Sequence, residues 1–240
     1  MHETTTAEIS NLQYYAAIAI FLVTYAIIIS EKINRAVIAM LGAALMIIFG
    51  IVDLHKAFTQ HIEWGTITLL IGMMMLVGIT SKSGFFQYVA IKTAKLAKGR
   101  PLRILVMLSL LTAALSAFLD NVTTVLLIVP VTFSITRILQ VNPVPYLISE
   151  VLFSNIGGTA TLIGDPPNIM IGSANKHLDF NAFLFNLTPI VLIIMIVTIS
   201  ILALIYRRQL KTDEKLVNEL LNVNEAEYIK DAALLKKSVS

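Results

Sequence analysis

Six long stretches without a charged residue constrain this chain more than any other feature. They cover residues 9–30, 36–52, 64–81, 104–119, 121–136 and 180–206. Several approach the roughly 20 residues that a helix needs to cross a hydrocarbon core of about 30 Å. Because 57% of the residues are hydrophobic and only 14% are charged, a soluble domain that buries all six stretches is the weaker alternative. The sequence therefore predicts an all-α integral membrane protein.

Several classes of function are not expected from the remaining residues. The chain has no cysteine, which excludes disulfides, thiolate metal sites and cysteine nucleophiles. No Ser/His/Asp grouping or paired metal-ligand spacing is present, so we do not expect an enzyme. The histidines are interpreted as surface residues of outer loops or of the terminus: His2, His55, His61 and His177. The net charge of +3 is small, and nucleic acid is not an expected partner.

Loop charges predict how the chain crosses the bilayer. Three helices, a hairpin, an interrupted helix and a last helix are expected at residues 11–30, 36–52, 64–81, 102–139, 145–175 and 180–206. This order places 16 of the 18 basic residues on one side, and only Lys56 and Lys176 on the other. By the positive-inside rule the amino terminus lies outside and the carboxyl terminus in the cytoplasm. We expect a multi-pass plasma-membrane protein.

Two segments outside the apolar stretches are predicted to be helical. The stretch "GFFQYVAIKTAKLAKG", residues 84–99, repeats lysine every three residues opposite an apolar face. We interpret it as an amphipathic helix on the inner membrane surface, with a soluble cytoplasmic helix as the alternative. Residues 207–240 are polar with spaced apolar residues and are interpreted as a cytoplasmic linker or tail. Residues 1–206 would then form one membrane domain.

The hairpin at 102–139 carries a single polar cluster at its tip. Asp120 and Asn121 are followed by Thr123 and Thr124, and Arg103 and Arg137 each lie 17 residues from Asp120. Both arms therefore begin on one face of the membrane and meet at the acid. The tip forms either a loop between two spanning helices or a re-entrant hairpin, and we favour re-entrance because the turn is tight. A re-entrant tip requires protein or water around its backbone.

The interrupted helix is predicted to run from Pro145 to Ile163 and to stop at "GDPPN", residues 164–168. Consecutive prolines free carbonyls that become available to a cation, and the helix that follows directs its amino-terminal amides at the break, where an anion would bind. An ionisable residue here is costly and usually functional, which singles out Asp165 together with Asp120. Glu150 lies about 8 Å above the helix start and is interpreted as facing interfacial water.

At these two clusters the sequence resembles the ion transporter superfamily. That superfamily groups arsenite permeases, the melanosomal P protein, one class of sodium/proton antiporters, citrate transporters and divalent-anion/sodium symporters. The resemblance covers residues 36–206 and is carried by "FLDNVTTVLLIVP" and "NIGGTATLIGDPPNIMIGSA". It implies a fold of two inverted repeats, each with a re-entrant hairpin and a broken helix. This chain contains one such repeat, with about five crossing helices.

The resemblance also implies a binding site. In the symporter branch the hairpin and broken helix bind sodium beside the substrate, through motifs that fall here on Asn121 and Thr123 and on Gly164, Pro166, Pro167 and Asn168. Asp120 and Asp165 depart from that pattern, and the Gly-Asp-Pro-Pro-Asn form is more similar to arsenite permeases and the P protein. Sodium would bind at Asn121, Thr123, Asp165 and Asn168. The remaining candidate substrate or ion ligands are Thr124, Ser154, Asn155 and Thr159.

These observations favour an alternating-access carrier in which Asp120 and Asp165 exchange protons against a cation or couple proton flow to export of an arsenite-like species. Uptake of a dicarboxylate or citrate with sodium is the alternative, and a channel or structural membrane subunit is the alternative of another class. No cofactor is expected beyond Na⁺ or H⁺ as coupling ion. The expected partners are the lipid bilayer, a small ion or anion, and a second inverted repeat in a missing half or a partner chain. A dual-topology homodimer is disfavoured by the uneven basic residues.

Overall fold

A computed structural model describes residues 11–175 and 177–225, and within these ranges the chain is helical and contains no β-strand. The chain divides after Glu63 into two compact units. Within the described residues, four helices are long and apolar enough to cross a membrane, and two shorter apolar helices accompany them. The prediction of an all-α integral membrane protein is therefore confirmed.

The first unit contains two membrane helices packed against each other. Helix α1 spans Asn11–Ile29 and α2 spans Arg35–Ile48. The helices approach closely at Gly42, where an added Cβ would lie 2.6 Å from the hydroxyl oxygen of Thr24. Asn34 caps α2 by accepting a hydrogen bond from the amide of Ala36 at 2.9 Å. The sequence thus placed both helices within a few residues of their observed bounds.

A short helix follows α2 where the sequence predicted a loop. Helix α3, Leu54–Lys56, continues as a π-helical turn over Ala57–His61. Asp53 begins it by accepting a hydrogen bond from the amide of Lys56 at 2.9 Å, which is a standard use of aspartate before a first helical turn. The interpretation of His55 and His61 as loop residues is wrong, whereas His177 lies outside the helices and His2 lies outside the described residues.

The second unit contains the rest of the described chain. Its central helix is α8, which packs against α6, α7 and α10. Helix α4 packs against α5 and α9. The helices of this unit are α4 Trp64–Lys82, α5 Phe85–Leu96, α6 Pro101–Ser116, α7 Asn121–Ile138, α8 Val144–Gly158, α9 Pro166–Ala174, α10 Phe180–Tyr206 and α11 Glu214–Asn222. The hairpin, the interrupted helix and the last membrane helix all lie where the apolar stretches placed them, with one exception at the end of α8.

Helix α5 coincides with the predicted amphipathic helix, but its apolar face contacts protein. Ala90, Ile91 and Ala94 are at most 2% exposed and belong to one core with side chains of α6, α7 and α11. Because protein covers this face, α5 does not present it to lipid, and the position of α5 at the inner membrane surface stays a prediction. Lysine spacing cannot distinguish the two arrangements, since both leave the charged side in water.

The described part of the polar tail packs on that same core. Leu220 of α11 is fully buried there. The Lys95 ammonium donates to the carbonyl of Val223 at 2.9 Å and forms an ion pair with Glu225. These contacts tie α11 to α5 at the end of the unit where α6 begins and α7 ends. Residues 226–240 of the predicted linker lie outside the described residues.

Candidate functional site

The first part of the candidate site is the turn between α6 and α7. Four residues, 117–120, separate the end of α6 from the start of α7. Asp120 is 6% exposed, and its carboxylate accepts a hydrogen bond from the amide of Thr123 at 2.8 Å. This N-cap satisfies one amide of the first turn of α7, which explains why an acid can be retained at a buried helix start. The predicted hairpin therefore has its acid at the tip.

The second part is the break between α8 and α9, which is longer than the sequence indicated. Helix α8 ends at Gly158 rather than Ile163, so residues 159–165 are non-helical. Pro166 and Pro167 are the first residues of α9, a position where a missing amide hydrogen costs no helical bond. The prolines start α9 and do not end α8. The prediction that helix continues to Ile163 is wrong.

Contacts with the hairpin explain the early end of α8. The Thr161 hydroxyl donates to the carbonyl of Ala117, and the Ser116 hydroxyl donates to the carbonyl of Ser154 at 2.6 Å. The Asn121 side chain donates to the side-chain oxygen of Asn155 at 3.0 Å. The hairpin turn and the break are thus held together by hydrogen bonds to backbone and to short side chains.

Glycines allow the two non-helical segments to approach each other. A Cβ on Gly164 would lie 2.5 Å from the carbonyl oxygen of Gly158 and 2.7 Å from that of Ser116. A Cβ on Gly157 would lie 2.3 Å from the carbonyl oxygen of Ala113 in α6. All three distances are shorter than real side chains tolerate, so glycine is required at these two positions for packing.

Asn168 occupies the carbonyls that the break releases. Its side-chain nitrogen lies 2.9 Å from the carbonyl oxygen of Thr161 and 3.4 Å from those of Gly158 and Thr159. The carbonyl of Ala160 accepts from the Thr188 hydroxyl at 3.0 Å. The two amide protons of Asn168 can serve at most two of these three carbonyls at once, so the availability of the carbonyls of the break to a cation stays a prediction.

The two acids of the prediction are neighbours. Asp165 is the N-cap residue of α9, is partly exposed, and makes no side-chain hydrogen bond to the helix it begins. Asp120 lies close enough for its charge to act on the Asp165 carboxylate. The fold therefore brings two acidic side chains, one from each non-helical segment, to a single place.

Other candidate ligands are less available. Thr123 contributes its backbone amide to the cap, and Ser154 and Thr159 donate their hydroxyl protons to carbonyls of α8. The Thr124 hydroxyl is buried in α7 without a hydrogen-bond partner in the described chain. Between residues 11 and 225, Lys176 excepted, no three His, Cys, Asp or Glu side chains form a cluster that could hold a metal ion.

The sequence reasoning missed the environment of Glu150. Its side chain is fully buried between α7 and α8, and it accepts a hydrogen bond from the Thr132 hydroxyl. The interpretation that Glu150 faces interfacial water is wrong. The polar residue Thr132 of α7, which contacts Glu150, is the part of the sequence that could have signalled a buried polar contact.

Comparison with known proteins agrees with this architecture. A "46 kDa membrane protein" of Mycobacterium leprae is 46% identical over 224 residues, 92% of this chain and 52% of its own length. An uncharacterized transporter of Mycobacterium tuberculosis is 42% identical over 224 residues, which again are 92% of this chain and 52% of the relative's own length. The human P protein is 42% identical over 202 residues, 81% of this chain and 24% of its own length. The chain thus spans about half the length of the curated mycobacterial relatives it matches.

These relatives confirm the resemblance that the hairpin and broken-helix motifs indicated. A match to one protein family confirms it as well. The family described as "Citrate transporter" matches residues 25–240, which is most of the chain and includes both candidate segments. This protein therefore belongs to the citrate transporter family.

Proposed function

We propose that the chain forms one repeat of an ion-coupled secondary transporter that works by alternating access and exchanges protons or sodium for a small inorganic ion, such as sodium or an arsenite-like species. Membership of a transporter family supports carriage across the membrane in general. The choice of an inorganic ion depends on the acidic residues in the candidate site.

One observation carries the proposal: the hairpin turn that holds Asp120 contacts the break that holds Asp165, through the hydrogen bond from the Thr161 hydroxyl to the carbonyl of Ala117. Two carboxylates close together repel, so binding a proton or a cation at one of them relieves an unfavourable interaction. Release of that ion restores the repulsion. A pair of this kind can therefore alternate between protons and a cation as the site opens to either side of the membrane.

The length of α6 supports a re-entrant hairpin in this scheme, whereas α7, with 18 residues, is long enough to cross. Helix α6 has 16 residues, which is about 24 Å at 1.5 Å per residue, short of a hydrocarbon core of about 30 Å. The tip and the adjoining break would then lie within the membrane, surrounded by protein. Non-helical backbone is tolerated at that depth when its carbonyls are satisfied, as those of Thr161 and Ala160 are here.

We also propose an orientation and a partner. The basic residues of α5, of the start of α6 and of the end of α7 lie at the end of the unit that α11 covers, and the positive-inside rule makes this end cytoplasmic. The membrane would be the plasma membrane, with the amino terminus outside. A second repeat of opposite orientation would complete the transport path, either in the same protein or in a partner chain.

A second candidate is sodium-coupled uptake of citrate or a dicarboxylate, which the description of the matched family favours. In that reaction the amino-terminal turn of α9 would hold a carboxylate of the substrate, and Asp165 would help to bind sodium. The two candidates differ in the coupling: protons or sodium are exchanged against a small inorganic ion in the first, and sodium moves in the same direction as a carboxylate substrate in the second.

The test is transport by the protein in proteoliposomes, with sodium, lithium, arsenite and citrate added one at a time while internal pH is recorded. The variant Asp165→Asn removes the charge and preserves the side-chain shape. Its matched control is Asp179→Asn, because Asp179 is also an N-cap aspartate, accepting from the Ala182 amide at 2.7 Å, but is exposed at the start of α10.

We expect a proton flux evoked by sodium, lithium or arsenite that disappears in Asp165→Asn and persists in Asp179→Asn. Sodium-driven citrate accumulation without proton movement would replace the first candidate with the second. Flux that rises linearly with concentration and does not saturate would contradict both and indicate a channel.

A further inference from the structure

We propose that Glu150 is a second proton-binding site of the transporter, enclosed between α7 and α8 and separate from the Asp120–Asp165 pair. The inference deepens the proposed function by adding a coupling residue. It can nevertheless be tested without any assumption about the transported ion.

The first argument is burial. The Glu150 side chain is 0% exposed, in a part of α8 that packs against α6, α7 and α10. Moving an isolated carboxylate from water into such an environment is very unfavourable, and a side chain in this position normally either pairs with a cation or binds a proton. The surroundings of Glu150 decide between these two outcomes.

No cation is placed to pair with Glu150. The ion pair found among the described residues joins Lys95 to Glu225, at the end of the unit where α6 begins. The charged side chains of the helices packed on α8 are the exposed Arg103 of α6 and Arg137 of α7, while α10 contains no charged residue. The other titratable groups on these elements are the Asp120 cap, Tyr206 of α10 and Tyr146 of α8, whose hydroxyl donates to the Pro101 carbonyl.

The hydrogen bonds around Glu150 leave room for one proton. Its Oε1 accepts from the Thr132 hydroxyl, whereas Oε2 is buried and has no partner in the described chain. A carboxylate would leave that second oxygen with an unsatisfied charge. A carboxylic acid places its proton on Oε2 and keeps Oε1 as the acceptor, so the neutral form suits this environment better.

The position along α7 separates this site from the hairpin tip. Thr132 lies 12 residues after Asp120 and five before Arg137, which corresponds to about 18 Å and about 7.5 Å along the helix axis. Glu150 is therefore too far from the tip to belong to the acidic pair, and lies nearer the end that carries Arg137. When α7 and α8 separate during transport, water can reach Oε2: the O–H bond breaks, the proton passes to water, and a carboxylate remains until a proton returns.

A purely structural role makes a different prediction. If Glu150 were a permanently neutral hydrogen-bond acceptor, glutamine would replace it without consequence, since the amide oxygen can accept from Thr132 and the amide nitrogen replaces the protonated Oε2. If Glu150 releases and binds a proton, the same substitution fixes the site in its neutral form and removes the titration.

The first experiment is infrared difference spectroscopy of the intact protein in lipid across a pH titration, comparing wild type with Glu150→Gln. The control is Glu219→Gln, which removes an exposed carboxyl from α11. We expect a carboxylic acid C=O band that changes with pH in wild type and Glu219→Gln and is lost in Glu150→Gln. Retention of the complete set of pH-dependent bands in Glu150→Gln would overturn the proposal.

The second experiment is the pH dependence of the transport rate in the same proteins. We expect Glu150→Gln to bind substrate but to lose one titration step from the pH profile of wild type, while the step of the Asp120–Asp165 pair remains. An unchanged pH profile would refute the role of Glu150. If Glu150→Gln does not insert into membranes, the variant Thr132→Val is measured by infrared spectroscopy instead. Removing the hydroxyl donor should shift the frequency of the pH-dependent carboxylic acid band that we assign to Glu150. An unshifted band would contradict the proposal. Absence of any proton flux in wild type would instead refute the proposed antiport, and the infrared result would still decide whether Glu150 titrates.

Discussion

Replacing Gly157 with alanine should force α8 away from α6 at the level of the candidate site. The added Cβ would lie 2.3 Å from the carbonyl oxygen of Ala113 and 2.5 Å from its Cα, both of which are backbone atoms of α6. Backbone in the middle of a helix cannot rotate aside as a side chain can. The clash must therefore be relieved by moving one helix relative to the other.

The required displacement follows from the contact distances. An ordinary Cβ contact begins at 3.4 Å, so the helices must separate by about 1 Å locally, the difference between 3.4 and 2.3 Å. The Ser116 hydroxyl now donates to the Ser154 carbonyl at 2.6 Å, and a separation of this size stretches that bond beyond normal hydrogen-bond length. Overpacking a tight contact costs about 1–3 kcal/mol, and a lost hydrogen bond adds roughly 0.5–1.5 kcal/mol.

The assay is reversible unfolding of the protein in detergent, with Gly72→Ala as the control. Gly72 lies in α4 with nothing within 4 Å of an added Cβ, so its replacement should be neutral or slightly stabilising through helix propensity. We expect Gly157→Ala to lower the free energy of unfolding by about 1.5–4.5 kcal/mol, the sum of the two terms above. Equal stabilities of the two variants would refute the close approach of α6 and α8.

Two further predictions concern other parts of the second unit. Asp120→Ala should destabilise α7 by about 0.5–2 kcal/mol, because the Thr123 amide loses the carboxylate that accepts its hydrogen bond. Asp120→Asn should preserve most of the stability, since an asparagine side chain can accept the same bond. Equal losses of the two variants in chemical unfolding would exclude capping as the structural role of Asp120. The hydrogen bond from Lys95 holds the pKa of Glu225 below its usual range. The stabilisation that this interaction gives the folded chain is therefore present above the pKa of Glu225 in the unfolded chain. It is lost as the pH falls through the lower pKa of Glu225 in the folded chain. Hydrogen exchange of the α11 amides, corrected for intrinsic rates, should become faster as the pH falls in wild type and should not in Glu225→Gln.

The apolar stretches predicted the membrane helices well because lipid imposes a simple requirement on the chain. A helix surrounded by hydrocarbon must be apolar on all sides for about 20 residues, and this property can be read without knowing its neighbours. Helices α1 and α10 satisfy the requirement and begin and end within a residue of the predicted bounds. The apolar face of α5 contacts protein instead of lipid. There the lysine spacing and the apolar face identified the helix but could not identify the helices that pack against it.

The early end of α8 could not be predicted because its cause lies in another segment. Nothing between Gly158 and Ile163 forbids a helix, and the prolines at 166 and 167 only require one to stop before them. The chain leaves the helix where Thr161 and Gly164 contact the hairpin turn. Such long-range competition for backbone groups has no local sequence signal. Burial of Glu150 escaped detection for the same reason, since it depends on the position of Thr132 in a different helix.

The geometry of the break also orders the groups that an incoming ion would meet. The carbonyls of Gly158, Thr159 and Thr161 all lie near the Asn168 amide, which would compete with a cation for them. Asp165, by contrast, makes no side-chain hydrogen bond to the first turn of α9. A cation or proton would therefore bind first at Asp165, relieve the repulsion from Asp120, and reach the carbonyls only if Asn168 moves. Because Asn168 lies in the first turn of α9 and its three acceptors precede that helix, that movement would loosen the break itself, which couples occupancy of the site to the position of α9.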